Sequence, residues 1–208
     1  MVQGRSRRIK LAGRNPEQAA SGFSAASQRV MAYPMFMSTG TPLEIPSPAG
    51  LLHLRPERED DRDFRYRLFC DSRQPEFALV LPPPAYQQVM THQFQAQTVS
   101  YRSRFPQARF DIIELDGASI GRIVVDRPGT MVHIVDQAIV PPLRGRGIGT
   151  AIMRAVMDDA ADAGLPVRLE VDSENDPSFR LYRRLGFVPI ETVQFYLRLE
   201  WRPTVSPT

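Results

Sequence analysis

The sequence predicts a mixed α/β fold, one sheet with helices laid against it, and three observations carry that prediction. FDIIELDG, SIGRIVVD and MVHIVDQAIV are rich in β-branched residues and follow one another across the turn signals Asp116-Gly117 and Pro128-Gly129, which makes an antiparallel meander. LRGRGIGTAIMR, Leu143 to Arg154, then passes from strand to helix through a glycine-rich turn. Beyond that helix the chain alternates again: strand PVRLEVD, helix within SENDPSFRLYRRLGF, and strands FVPIETV and FYLRLEW.

The chain begins differently. Met1 to Gly50 holds Arg5, Arg7, Arg8, Lys10, Arg14 and Arg29 against Glu17 and Glu44, shows no sustained period of 2 or 3.6, and ends in the linker-like TPLEIPSPAG. Residues 1–48 are therefore expected to be a disordered basic extension and residues 49–208 the folded domain. The Arg-rich start resembles a transit peptide or a nucleic-acid arm, and a dispensable extension ahead of Met31, Met35 or Met37 fits the same letters. The rest of the chain carries 20 basic and 21 acidic residues, so the net charge of +3 resides in the extension. By composition, the body is not a nucleic-acid-binding surface.

A chain of 208 residues with 42% hydrophobic content buries one good core. Cys70 is the single cysteine, and no CxxC or Cys/His cluster points to a metal, so a reducing, cytoplasmic setting is expected. No apolar run reaches the roughly 18 residues of a membrane span, which predicts a soluble protein.

Within the domain, LLHLRPE reads as a strand and EREDDRDF as an acidic helix start. PPPAYQQVMTHQFQAQTVSYRSRF reads as one long helix, because proline is tolerated at its start and Tyr86, Met90, Phe94 and Tyr101 recur at near-helical spacing. Gln93, Gln97 and Tyr101 share a face of it at i, i+4, i+8 with Arg102 adjoining, and form either an acceptor-lining face or a solvated one. After the glycine-rich turn, Ile148, Ile152, Val156 and Ala160 make an apolar stripe, which Gly164 stops and Pro166 keeps from resuming. Asp176 and Pro177 start the last helix and Gly186 ends it.

A glycine turn entering a helix exposes backbone N–H groups at a positive end, which suits an anion. A triphosphate loop needs GxxxxGK followed by Ser or Thr, and Lys10 is the only lysine in the chain. A dinucleotide fingerprint fails at its third glycine, where Thr150 stands. The pattern present is Arg-x-x-Gly-x-Gly, as Arg144, Gly147 and Gly149. A second block, NDPSFRLYRRLGF, carries Asn175, Ser178, Leu181, Tyr182, Gly186 and Phe187. Together, and in this element order, the two blocks resemble the GNAT superfamily of acetyl-CoA-dependent N-acetyltransferases over roughly Leu51 to Trp201, the first half in element order only.

The resemblance implies a central, mostly antiparallel twisted sheet splayed between its fourth and fifth strands. It implies that Arg144, Gly145, Arg146, Gly147, Ile148, Gly149 and Thr150, with Asn175 and Ser178, hold acetyl-CoA as co-substrate without metal. The backbone of Ile139 and Val140 would pair with the pantetheine arm. Tyr182 is the implied general acid toward the departing thiolate, and a core aromatic on an amphipathic helix is the alternative. A base would stand on MVHIVDQAIV: His133 has the better intrinsic pKa, near 6.5 against about 3.9 for Asp136. The two differ in parity and share a face only if a bulge interrupts the strand; water without either is the third possibility. The expected reaction is acetyl transfer to a primary amine of a small molecule or protein, with Gln93, Gln97 and Tyr101 as acceptor residues, no membrane partner, nucleic acid disfavoured and a homodimer possible. A non-catalytic CoA-binding sensor would keep the turn without the chemistry.

Overall fold

The computed structural model describes residues 42–72, 82–172, 176–194 and 196–204. Residues 1–41 of the expected extension, and Asn175, lie outside them. Eight strands form one sheet in the order β1-β2-β3-β4-β5-β6-β8-β7. They are β1 Leu43–Ser47, β2 Gly50–Pro56, β3 Arg109–Leu115, β4 Ala118–Asp126, β5 Val132–Ile139, β6 Val167–Asp172, β7 Val188–Val193 and β8 Tyr196–Trp201. Among the described residues four α-helices accompany them: α1 Arg62–Asp71, α2 Pro83–Arg104, α3 Ile148–Asp162 and α4 Asp176–Arg184. All neighbouring strands run antiparallel except β5 and β6.

The first strand corrects the domain boundary placed at residue 48. The linker-like TPLEIPSPAG contains β1, which pairs with β2 from Leu43↔Leu54 to Ser47↔Gly50. Leu43 and Ile45 are 3% and 4% exposed, so this edge strand belongs to the core. Its prolines hid it: Pro46 cannot donate to a ladder, yet an edge strand needs no donor on its outer side.

The turn signals hold. Asp116 and Gly117 take φ of 51° and 77°, the pair of left-handed residues a tight hairpin between β3 and β4 requires. The stripe Ile148, Ile152, Val156 and Ala160 is buried against the sheet. At the end of α3, Gly164 takes φ 66° and Leu165 N–H reaches back to Ala160 O at 2.8 Å. On the opposite face, Met90 and Phe94 of α2 bury themselves against Phe69 of α1, with the Tyr66 and Phe94 rings edge to face at 5.5 Å.

Two irregularities of β5 shape the site. Its pairing with β6 lasts only for Val132↔Val167, His133↔Arg168 and Ile134↔Leu169, while β5 itself runs on to Ile139. From there the sheet opens between its fifth and sixth strands, which are the fourth and fifth when β1 is left uncounted. At the same place the β4 register jumps from Val125↔Ile134 to Val124↔Asp136, leaving Val135 as a bulge. Side chains alternate strictly along an unbroken strand, so one inserted residue exchanges the faces beyond it. Val132, Ile134 and Ile139 thus all reach the core under α3, and His133 and Asp136 come to share the other face.

Candidate functional site

The glycine-rich turn follows a single 3-10 turn, Pro141–Leu143, at the end of β5. Gly145 and Gly147 have φ of 75° and 82°, conformations that side chains resist. Gly147 is the N-cap of α3 and supplies no capping side chain; the first helical bond is Ala151 N–H to Gly147 O at 2.9 Å. The N–H groups of Ile148, Gly149 and Thr150 precede that bond and stand at the positive end of the helix. They open on a groove of about 610 Å³, a size suited to a small ligand. Its walls are the turn, Gln137 to Ile139 of β5, and Pro177, Ser178, Leu181, Tyr182 and Arg184 of α4.

Most of the expected cofactor residues meet here: Ile139, Arg144, Gly145, Gly147, Ile148, Gly149, Thr150 and Ser178 all line the groove. Arg146 is exposed and is not part of the wall. The Arg144 guanidinium is engaged with backbone: Nε donates to Ile139 O at 2.8 Å and Nη2 to Asp71 O at 3.1 Å. It clamps the turn to the ends of β5 and α1. The expected pairing of Val140 with a pantetheine arm is corrected, because its N–H donates to Ile120 O at 2.9 Å and its carbonyl accepts from Leu143 N–H at 3.1 Å. Backbone groups of an antiparallel strand point alternately to its two sides. Those of Gln137 and the N–H of Ile139 therefore face the opening toward β6.

The two motif glycines serve different ends. A Cβ on Gly147 would come 2.9 Å from Pro48 Cγ, in the turn between β1 and β2. The constraint there is the hairpin and the positive φ, and a side chain at this position would damage the fold as well as any ligand contact. A Cβ on Gly149 would lie 3.7 Å from Gln137 Nε2 and 3.9 Å from Leu181 Cδ2, ordinary contacts with the groove walls. Gly149 is the position where a methyl fits the fold and enters the groove. Gln137, which donates from Nε2 to Gly149 O at 3.3 Å, lines the groove although no motif marks it.

Tyr182 stands on α4 where the groove meets the opening, its ring 5.8 Å from that of Phe187. Burial first, then the nearby charge of Asp136, pushes its phenol up to about 12. It is fully protonated at neutral pH. Asp136 also accepts from Arg122 Nη1 at 3.2 Å. His133 lies on the same face as Asp136, opposite Asp126 and Arg168 in the ladder, with its ring 5.3 Å from Phe105. Burial holds its imidazole below the usual histidine range, against the opposing pull of Glu170 and Asp126.

On the long helix, Gln97 Nε2 donates to Tyr101 OH at 3.3 Å, and Tyr101 meets Phe105 edge to face at 6.5 Å, so these two connect toward His133. Gln93 lines a separate concavity along the first half of α2, with Gln87 and His92. What composition and spacing did not reveal is the charge network beside them. Glu57, 2% exposed, accepts from Arg65 Nη1 at 2.7 Å, Arg102 Nη2 at 2.6 Å and Arg122 Nε at 3.0 Å. Arg102 and Arg122 lie 45 and 65 residues from Glu57, and none of the four carries a motif. Among the described residues no group of three or more His, Cys, Asp or Glu could hold a metal, and no helix is long and apolar enough to cross a membrane.

Comparison with known proteins places the chain in a family. An N-alpha-acetyltransferase of Sulfurisphaera tokodaii is 31% identical over 104 residues, covering 43% of this chain and 62% of that protein; the chain thus matches less than two thirds of that relative's length. Among solved structures, the PaiA N-acetyltransferase of Thermoplasma acidophilum in complex with coenzyme A superposes with a TM-score of 0.56 at 17% identity, covering 73% of this chain and 98% of that one. Mycobacterium smegmatis RimJ in complex with CoA-disulfide gives 0.55 at 19% identity, covering 79% and 88%. At such identities the likeness is one of fold. The sequence profile of the Acetyltransferase (GNAT) family matches residues 56–187, more than half of the chain and the span that holds both glycine motif and groove, and the chain belongs to that family.

Proposed function

We propose that this protein transfers the acetyl group of acetyl-CoA to a primary amine by direct attack on the thioester. One observation carries the reading: an uncapped helix N-terminus opens on a groove that leads into the gap between β5 and β6, where half-buried Tyr182 stands. The groove fits the cofactor. Ile148, Gly149 and Thr150 offer N–H groups for a diphosphate without metal. Arg184 adds positive charge to the wall, and the backbone of Gln137 and Ile139 offers an extended edge to an amide-bearing arm. Acetyl-CoA would supply an activated acyl group and a thiolate leaving group.

The chain's own residues then handle protons. Tyr182, held near 12, keeps its proton at working pH and donates toward the leaving sulfur. Against a thiol of about 8.5 in water the transfer is uphill by about 3.5 units, or about 5 kcal/mol. The same dry groove also disfavours the thiolate, since burial raises any acid whose charged form is an anion, and this narrows the mismatch. On the amine side the bulge brings Asp136 and His133 to one face. Asp136 is the nearer to Tyr182 in electrostatic terms, because its charge acts on the phenol, while neutral His133 stands at the still-paired end of β5. Either can take the ammonium proton, directly or through water. The Sulfurisphaera relative is named for α-amines, and an α-amine of pKa about 7.7–8.0 is easier to deprotonate than a lysine side chain at about 10.4.

Calorimetric titration with acetyl-CoA, with NAD and ATP as controls, tests the cofactor assignment. Selective one-to-one binding is expected. A folded sample that binds neither acetyl-CoA nor CoA would remove the basis of the reading.

A further inference from the structure

On the sheet face turned away from α3, the side chains Phe110, Val124 and Asp136 form one row across β3, β4 and β5. The C-terminal turn of α2 descends on the Phe110 end of that row. There the Arg102 guanidinium lies 3.8 Å from the centre of the Phe110 ring, and its Nη2 donates to Glu57 Oε1 at 2.6 Å. Glu57 is shared with Arg65 and Arg122, and Arg122 continues to Asp136. Three guanidiniums thus share two carboxylates by hydrogen bonds, with the charge of Glu59 also acting on Arg65. Arg65 and Arg122 are 8% and 7% exposed, whereas Arg102 is 51% exposed, so Arg102 is the guanidinium of the three that reaches solvent. An arginine stacked on an aromatic face and pinned by a buried carboxylate is already ordered, and loses little freedom when it binds an anion.

The distance to the opening of the sheet follows from strand spacing. Adjacent strands are about 4.8 Å apart, so Phe110 and Asp136, two strands apart, are separated by about 10 Å. The groove occupies the α3 face, which leaves this face for the acceptor. An extended peptide advances about 3.3–3.6 Å per residue. With its terminal amine at the Asp136 end, the carboxylate of an acidic second or third residue comes within reach of Arg102.

We propose that Arg102 is an anion-binding subsite for the acceptor, and that the preferred acceptor is a peptide-like α-amine followed by a carboxylate at its second or third residue. This rests on the acetyl-transfer reading for its catalytic consequence, but the subsite is testable by binding alone. The full-length protein, saturated with CoA, is titrated with the peptides Ala-Glu-Ala-Ala and Ala-Gln-Ala-Ala, amidated at their C-termini, and the same pair is assayed with acetyl-CoA. The glutamate peptide should bind at least tenfold more tightly and show a correspondingly lower KM. Arg102→Gln should erase that preference, leave the glutamine peptide's KM and both kcat values within about twofold, and keep CoA affinity and Tm. Arg102→Glu should invert the preference toward Ala-Lys-Ala-Ala. Equal binding of the two peptides by the unaltered protein would overturn the subsite. So would an Arg102→Gln variant of unchanged Tm in which both peptides lose kcat equally, since that is the mark of a structural role through Glu57. A charge preference in binding with no acetylation of any peptide would retain the subsite and overturn the transfer reading.

Discussion

Gly149→Ala separates the fold from the site, because the structure assigns the two effects opposite signs. Gly149 sits in the first turn of α3 without a left-handed φ, and the new methyl would meet Gln137 Nε2 and Leu181 Cδ2 at 3.7 and 3.9 Å. Glycine is less favourable than alanine in a helix by up to about 1 kcal/mol, so the variant should be as stable as the parent or more so. One kcal/mol corresponds to about 2–4 °C in Tm for a domain of this size. The methyl nevertheless enters the groove beside the N–H groups of Gly149 and Thr150. Hydrogen bonds to charged groups are worth about 1.5–3 kcal/mol each, and 1.4 kcal/mol is tenfold in affinity. Losing or lengthening one such bond should weaken CoA binding by about 10- to 100-fold. The assay is calorimetric titration with CoA beside a thermal unfolding scan. An unchanged CoA affinity at raised Tm would refute the assignment of the turn.

Three further variants test neighbouring parts of the account. Gly147→Ala should lower Tm by several degrees, because a left-handed φ of 82° costs about 1–2 kcal/mol for a residue with a Cβ and Pro48 Cγ stands 2.9 Å from it; Pro48→Ala in the same chain should restore part of the loss, and no restoration would contradict the hairpin contact. Tyr182→Phe should bind CoA normally and lose about 10² to 10⁴ in kcat, as removal of a general acid does; a loss below tenfold in a folded variant would return Tyr182 to a packing role. The rate catalysed by the unaltered protein should also show no alkaline limb from Tyr182 below about pH 11, since its phenol is pushed up to about 12. Burial lowers the His133 pKa below its unfolded value of about 6.5, so the folded state resists the proton that the unfolded state accepts, and stability should fall as pH drops through and below 6.5. His133→Asn should flatten the decline in Tm between pH 7 and pH 5, and an unchanged slope would place the lost protonation elsewhere.

Much of the fold was legible because local chemistry and global architecture agree. The Asp116-Gly117 hairpin, the buried stripe of α3 and its Gly164 stop are each enforced by short-range geometry that the letters show directly. β1 was not legible, because an edge strand tolerates Pro46 and only Leu43 and Ile45 betray its inward face. At the site, the glycine motif marked the turn that lines the groove, but not that Gly147 answers to Pro48 or that Arg144 clamps backbone. Those facts depend on segments that meet only in the folded state. The bulge at Val135 is of the same kind: parity alone places His133 and Asp136 apart, and the one-residue slip against β4 reunites them. The Glu57 network joins four segments of the chain through side chains that look, in sequence, like ordinary surface charge.

The central claim is acetyl transfer, and the most direct measurement is amine-dependent release of the CoA thiol from acetyl-CoA, followed with a thiol reagent and by mass spectrometry of the acceptor. A panel of peptides with free α-amines, with lysine side-chain amines as comparison, is the substrate set. Thiol release should rise with amine concentration, the acceptor should gain the mass of one acetyl group in step with it, and both should be lost in Tyr182→Phe. Tight CoA binding with no amine-dependent thiol release across the panel would contradict it, and would leave a protein that holds CoA without using it.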